Sequence, residues 1–202
     1  VVEKVSVVRI PHKRDFMHID TVFTQVKRNM WVILDTVGRP FSKAQAEPMD
    51  MLAKDMSRET ISVMQFRRDE LTKPVEFASI EDLLTDISRN DLGCAEKATF
   101  IYSGGGKFPY ASREQWTDSC NLLALKEGVV VGYDRNDHTI QAFRKNGFKI
   151  ISVKALLQKL ENDELNVEEM ENTFITMPSA ELSRARGGFH CMSIPLLRDS
   201  IS

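Results

Sequence analysis

Asn121-Leu122-Leu123-Ala124-Leu125, Lys126-Glu127-Gly128, Val129-Val130-Val131-Gly132-Tyr133 is the stretch whose reading decides the fold. A five-residue apolar run, a polar turn ending in glycine and a β-branched run predict two strands of a hairpin. Asn136 then stands where a helix N-cap belongs, Ile140 and Phe143 fall inside a helix running to residue 146, and Gly147 occupies the C′ position. Lys149-Ile150-Ile151-Ser152 returns as a strand, so residues 121–152 read in the order ββαβ.

Working outward, the same order recurs upstream. Met17 to Val26 reads as a strand with His18, Asp20 and Val22 on one face, and Trp31 to Leu34 as its partner. Ser79-Ile80-Glu81-Asp82 has the form of a capping box, and Ile80, Leu83, Leu84 and Ile87 follow at helical spacing to about residue 90. Ala98 to Tyr102 is the closing strand. Residues 4–10 form a further strand ended by Pro11; 38–76 are punctuated by Pro40, Pro48 and Pro74 and read as an excursion with some helix. Residues 153–172 read as helical, charged and solvated. Self-similarity of this kind is the signature of a repeat architecture. His18 and Asp20 would open one unit, Asn121 the next and Cys191 a third, so strand ends of a radial repeat would bring Cys191, His18 and Asp20 together.

The totals exclude several classes. At 202 residues, with 42% apolar and 28% charged residues and a net charge of −2, the chain fits a soluble globular protein with one sizeable core or two small ones. It carries no long basic block, so nucleic acid is not the expected partner. No apolar run approaches the ~20 residues of a membrane span. No signal pattern stands at the N-terminus, and Cys94, Cys120 and Cys191 are an odd set, so reduced thiols in a cytoplasmic setting are expected. The chain starts at Val1 and not Met, which is expected of a piece of something longer.

Taken alone, the chemistry-bearing residues allow bland readings. His18 beside Asp20 is a proton carrier beside an anion, or a satisfied core histidine near a turn residue. Cys191 is a nucleophile, or a buried thiol that packs as a small apolar group. Ser103-Gly104-Gly105-Gly106 lacks the residues of a phosphate loop and reads as a turn. His12, His18, His138 and His190 are scattered without metal-ligand spacing.

Three blocks together carry a resemblance. Met17-His18-Ile19-Asp20-Thr21-Val22-Phe23-Thr24 is the first. Arg113-Glu114-Gln115-Trp116 with Asn121 and Glu127 to Asn136 is the second. Arg184-Ala185-Arg186-Gly187-Gly188-Phe189-His190-Cys191-Met192-Ser193-Ile194-Pro195 is the third. In this order they resemble the C-terminal part of the arginine deiminases, a family of guanidine-modifying enzymes. The resemblance implies an α/β propeller (pentein-type) of ββαβ repeats, incomplete in this chain, with residues 1–202 as the C-terminal part of the catalytic propeller and insertions near 45–78 and 155–176.

It also implies roles. Cys191 would be the nucleophile on the guanidinium carbon of L-arginine, His18 the proton carrier, Asp20 the carboxylate that holds the guanidinium, and Arg186 the anchor of the substrate carboxylate. His190 is not expected to be the base, since consecutive strand residues face opposite ways. No metal and no cofactor are expected. The expected partners are L-arginine, further copies of the chain in a homo-oligomer, and the missing N-terminal half in the same or a complementary chain. That half would supply the family's second guanidinium-binding aspartate and the acidic partner of the histidine. The alternatives are another guanidine-modifying activity, on agmatine, methylated arginine or an amidino acceptor, or a non-catalytic half-propeller.

Overall fold

Chain order gives β1 (Lys4–Arg9), β2 (Phe23–Lys27), β3 (Met30–Ile33), β4 (Ser62–Arg67), β5 (Glu70–Phe77), α1 (Ile80–Asp86), β6 (Thr99–Tyr102), α2 (Tyr110–Trp116), β7 (Leu123–Lys126), β8 (Val129–Tyr133), α3 (Asp137–Lys145), β9 (Lys149–Ser152), α4 (Val153–Glu161) and β10 (Thr173–Met177). The computed structural model describes residues 2–12, 14–35 and 62–197. The strands form three sheets, in the orders β1-β4-β5, β2-β3-β6 and β7-β8-β10-β9.

The first repeat unit forms as the sequence predicts, with one correction. β2 pairs antiparallel with β3, and β3 runs parallel to β6 with α1 as the crossover. Ser79 caps α1 by accepting the Asp82 N–H at 3.1 Å, which supplies one of the bonds missing at a helix start. Ile80, Leu83 and Leu84 are buried along one face. After α1 a single π turn (Ile87–Asp91) sets Ser88 to accept the Trp31 Nε1–H of β3 at 2.9 Å. The correction concerns residues 17–22, which are not strand. Ile19–Thr21 is a 3-10 turn in which the Thr21 N–H and hydroxyl both return to the His18 carbonyl, at 3.2 and 2.6 Å. Side-chain to backbone bonding of this kind competes with a strand ladder.

The second unit is larger than ββαβ. β10 inserts between β8 and β9 and runs parallel to both, so residues 153–172 hold one helix, α4, followed by a return to a central strand. β8 is buried on both faces, as expected of a strand covered by crossover helices. Val130 packs with Phe143 and Phe174 in the main core, which also takes in Val32, Leu83 and Ile101 of the first unit. Val129 and Val131 face a second cluster with Leu156 of α4 and Ile175. Asn136 stands at the start of α3 but its side chain makes no cap bond. Glu114 of α2 does that work: its fully buried carboxylate accepts the His138 and Thr139 N–H groups, each at 2.9 Å, and the Thr139 hydroxyl at 2.7 Å.

Residues 62–77, read from sequence as part of an excursion with some helix, form instead the β4–β5 hairpin, which extends β1. Burial alternates along β4, with Val63 and Gln65 inside. The remainder of that excursion lies outside the described residues. Ser103–Gly106 is a tight turn, with Gly104, Gly105 and Gly106 at φ of 59°, 67° and 69°. A Cβ on Gly104 would sit 2.3 Å from the Ala111 nitrogen, so the start of α2 requires glycine there. The two repeat units lie side by side, joined where the Gly128 N–H of the β7–β8 turn bonds the Val26 carbonyl of β2 at 2.9 Å.

Candidate active site

The two repeat units present Asp20 and Asn121 just before β2 and β7, and the C-terminal turn carries Cys191 onto both. Cys191 Sγ lies 3.3 Å from Asp20 Oδ2, and His190 Nδ1 lies 3.1 Å from the same oxygen. Asn121 meets Cys191 twice: its Nδ2–H donates to Sγ at 3.1 Å and its Oδ1 accepts the Cys191 N–H at 3.2 Å. Residues 189–192 form a turn and not a strand. The alternation that would separate His190 from Cys191 therefore does not apply, and both side chains reach Asp20.

Arg186 lies five residues before Cys191 on the same segment. Its guanidinium stacks on the Trp116 ring at 4.2 Å and lies 3.8 Å from Asp15 Oδ1. The Arg186 backbone is left-handed, with φ of 61°, a strained setting for a residue with a side chain. The following peptide holds it there: the Gly187 N–H donates to Asp118 Oδ2 at 3.0 Å and the Gly187 carbonyl accepts the Tyr133 hydroxyl at 2.8 Å. The second sequence block thus acquires separate tasks. Arg113 reaches the Arg135 carbonyl at 3.3 Å, Glu114 caps α3, Gln115 donates to the Asp15 carbonyl at 3.0 Å, and Trp116 carries Arg186.

Among the described residues, two buried polar atoms in the group have no hydrogen-bond partner, Asp20 Oδ1 and Arg186 Nη1, the latter facing Asp15 Oδ1 at 3.8 Å in an ion pair. A buried carboxylate oxygen and a buried guanidinium nitrogen without hydrogen bonds are costly, so each calls for a physical account. Beside Asp20 a cleft of about 650 Å³ is lined by Asp20, His190, Phe23, Trp31 and Ile194, among others; Cys191 and Arg186 are not part of its wall.

The electrostatics of the resting group favour a neutral thiol. Burial and the bond to Asp20 push the Cys191 thiol up, against the opposing pull of Asn121 and the Gly188 N–H. Burial pushes the Asp20 carboxyl up, but donors from His190, Cys191 and Asn121 outweigh it and hold the group below its ordinary value. Asp118, 3% exposed, goes the other way: burial raises its carboxyl despite the Gly187 N–H and the nearby Arg186 charge.

Of the residues singled out from sequence, Cys191 and Asp20 touch. Arg186 sits nearby on Trp116. His18 precedes the 3-10 turn, its ring has no hydrogen-bond partner among the described residues, and its charge acts on Asp118. Asn121, Asp118, Trp116 and His190 received no role from sequence, although all lie inside the quoted blocks or beside them. Cys94 is half-buried and Cys120 fully buried, and burial pushes the Cys120 thiol up.

Comparison with known proteins gives one consistent result. The family model described as arginine deiminase matches residues 1–156. An arginine deiminase of Latilactobacillus sakei is 33% identical over 196 residues, covering 97% of this chain and 37% of that relative. One from Borreliella afzelii is 30% identical over 193 residues, covering 96% and 36%, and one from Bacillus cytotoxicus is 32% identical over 200 residues, covering 99% and 38%. The chain therefore spans somewhat over a third of the length of these relatives.

Proposed function

We propose, starting from the fact that the chain belongs to the arginine deiminase family, that it forms the C-terminal part of an enzyme converting L-arginine and water to L-citrulline and ammonia. The observation that carries this reading is the pair of buried atoms without a hydrogen bond among the described residues, Asp20 Oδ1 and Arg186 Nη1. An amino acid with a guanidinium at one end and a carboxylate at the other answers both. A planar guanidinium suits a carboxylate, and a carboxylate suits an arginine, by charge-assisted and often paired bonds.

In this mechanism the guanidinium binds against Asp20 and brings a positive charge beside Cys191, which reverses the balance that keeps the thiol protonated, and the thiol gives its proton to His18. The thiolate sulfur bonds to the guanidinium carbon. The bond from that carbon to one terminal nitrogen breaks, and ammonia leaves with a proton delivered by His18, giving an amidino group on sulfur. Water then loses a proton to His18 and adds to the same carbon. The carbon–sulfur bond breaks, the oxygen stays as the ureido oxygen of citrulline, and the thiol is restored. His18 takes the proton-carrier role from the resemblance; its place two residues from Asp20 is compatible with that role.

The second carboxylate for the guanidinium, the acidic partner of His18 and the rest of a closed propeller are assigned to the parent protein outside residues 1–202. The test is citrulline formation by the complete protein and its Cys191→Ser variant. Loss of turnover with retained arginine binding is expected; normal turnover by the variant would remove the reading. Arginine and agmatine assayed side by side separate this activity from the other guanidine-modifying ones, because only arginine offers a carboxylate to Arg186.

A further inference from the structure

Asn121 contacts the sulfur as closely as Asp20 does, and from the opposite chemical side. Its Nδ2–H donates to Cys191 Sγ at 3.1 Å while its Oδ1 accepts the Cys191 backbone N–H at 3.2 Å. One planar amide therefore grips the sulfur and the main chain of the same residue. The amide is itself fixed: Asn121 is 1% exposed, and its backbone N–H bonds the Asp118 carbonyl at 3.0 Å.

The turn that carries Cys191 is shaped to this amide. A Cβ on Gly188 would lie 2.3 Å from Asn121 Oδ1 and 2.5 Å from Asn121 Cβ, so the chain closes on Asn121 only because residue 188 has no side chain. The same turn is closed by the Met192 N–H on the Gly188 carbonyl at 3.3 Å. Sequence spacing alone had placed Asn121 only as the residue opening the second unit.

A donor aimed at sulfur stabilises a thiolate more than a thiol, whereas an acceptor such as Asp20 stabilises the thiol. We propose that Asn121 is a further catalytic residue: its Nδ2–H holds the Cys191 sulfur as a thiolate when the site is loaded, and its Oδ1 fixes the main chain so that the sulfur does not swing away. The inference rests on the proposed function for the use of that thiolate as the nucleophile. Asparagine suits the task because it carries a donor and an acceptor in one plane. Aspartate would keep the acceptor for the main chain and replace the donor with a negative charge.

The test reads the thiol without arginine. Iodoacetamide modification of Cys191 in the full chain is followed by peptide mass spectrometry, so that Cys94 and Cys120 do not contribute, from about pH 6 to about pH 10. In Asn121→Asp and Asn121→Ala the midpoint should rise by at least about one unit, making modification near pH 7 at least about tenfold slower. Gly188→Ala, which pushes the amide off while leaving it in the chain, should act in the same direction. An unchanged midpoint in the Asn121 variants overturns the proposal. A measurement on the unaltered chain guards against misfolded variants: the Asn121 side-chain amide resonances should move through the same midpoint as Cys191 ionises, and resonances flat across it overturn the proposal. The outcomes stay separable from those of the deiminase reading. Wild-type citrulline turnover by Asn121→Asp sinks the role of Asn121 alone, and a shifted thiol in a protein that makes no citrulline sinks the deiminase reading alone.

Discussion

Asp20 Oδ2 and Cys191 Sγ are 3.3 Å apart although 171 residues separate them in the chain. The contact is paradoxical for a nucleophile. A carboxylate beside a thiol disfavours ionisation, and Asp20 contributes to the raised pKa of Cys191 both through its bond and through its charge. The pair makes sense as a resting state that a cation converts, since a guanidinium placed against Asp20 neutralises the charge that holds the proton on sulfur.

Asp20→Asn should accordingly separate reactivity from turnover. With the negative charge gone the thiol pKa falls, so alkylation of Cys191 in the absence of arginine should quicken near neutral pH. Citrulline formation should drop by a factor on the order of 10³, a loss comparable to removing a charged group that acts at the reacting centre. Alkylation that slows in the variant would contradict the assigned direction.

Arg186 rests on Trp116, with Nη1 3.8 Å from Asp15 Oδ1 and making no hydrogen bond among the described residues. Arg186→Lys keeps the charge but loses the planar fork and the stacking face. Its KM for arginine should rise at least about tenfold while that for agmatine, which has no carboxylate, changes little. Trp116→Leu should give a smaller rise of the same kind. Steady-state kinetics with both substrates decide it, and equal effects on the two would remove Arg186 from the carboxylate.

Much of this arrangement was legible in the sequence, and what was not has physical causes. Periodicity located α1 and α3, each with a buried face whose spacing repeats, while β3 and β8 were legible as short continuous apolar runs, buried almost throughout. Order of units predicted that Cys191, His18 and Asp20 would converge; the structure brings Cys191 onto Asp20 and, without such a prediction, onto Asn121. The 3-10 turn at Ile19–Thr21 was hidden because Ile19, Thr21 and Phe23 alternate as a strand would, while the Thr21 hydroxyl chooses the His18 carbonyl. β10 was hidden because Thr173-Phe174-Ile175-Thr176-Met177 follows a long charged stretch, and its central place depends on partners 24 and 44 residues back at Lys149 and Val129. α2 has short, mixed-polarity spacing, and its purpose lies in Glu114 and Trp116, which act on other elements. The contact of His190 with Asp20 follows from turn geometry that no alternation rule predicts.

Glu114 offers a test of stability. Its carboxylate is fully buried and receives three bonds from the start of α3. Glu114→Gln turns an NH₂ toward donors and leaves at least one of them unmet. The cost should be about 2 kcal/mol, which for a chain of this size lowers Tm by about 4–8 °C. Thermal melting measures it, and an unchanged Tm would mean that the cap of α3 is made elsewhere.

Asp118 should leave a pH signature opposite in sign to that of Asp20. Asp118 is nearly fully buried and its folded pKa lies above the ordinary 3.8, so the folded chain keeps this proton longer than the unfolded chain. With more protons bound in the folded state, stability falls as pH rises from about 3.8 through the folded pKa, and stays lower above it. Asp20, with a lowered folded pKa, contributes stability that is present above 3.8 and lost as pH falls through its folded value. Asp118→Asn keeps an oxygen for the Gly187 N–H, which Asp118 Oδ2 accepts at 3.0 Å, but removes the buried charge. Urea unfolding from about pH 4 to about pH 7 should show the variant gaining stability relative to the parent as pH rises, with the Asp20-linked loss at the acid end preserved in both. A variant that loses stability at neutral pH would show that the Asp118 charge is held by Arg186 and His18 more strongly than burial opposes it.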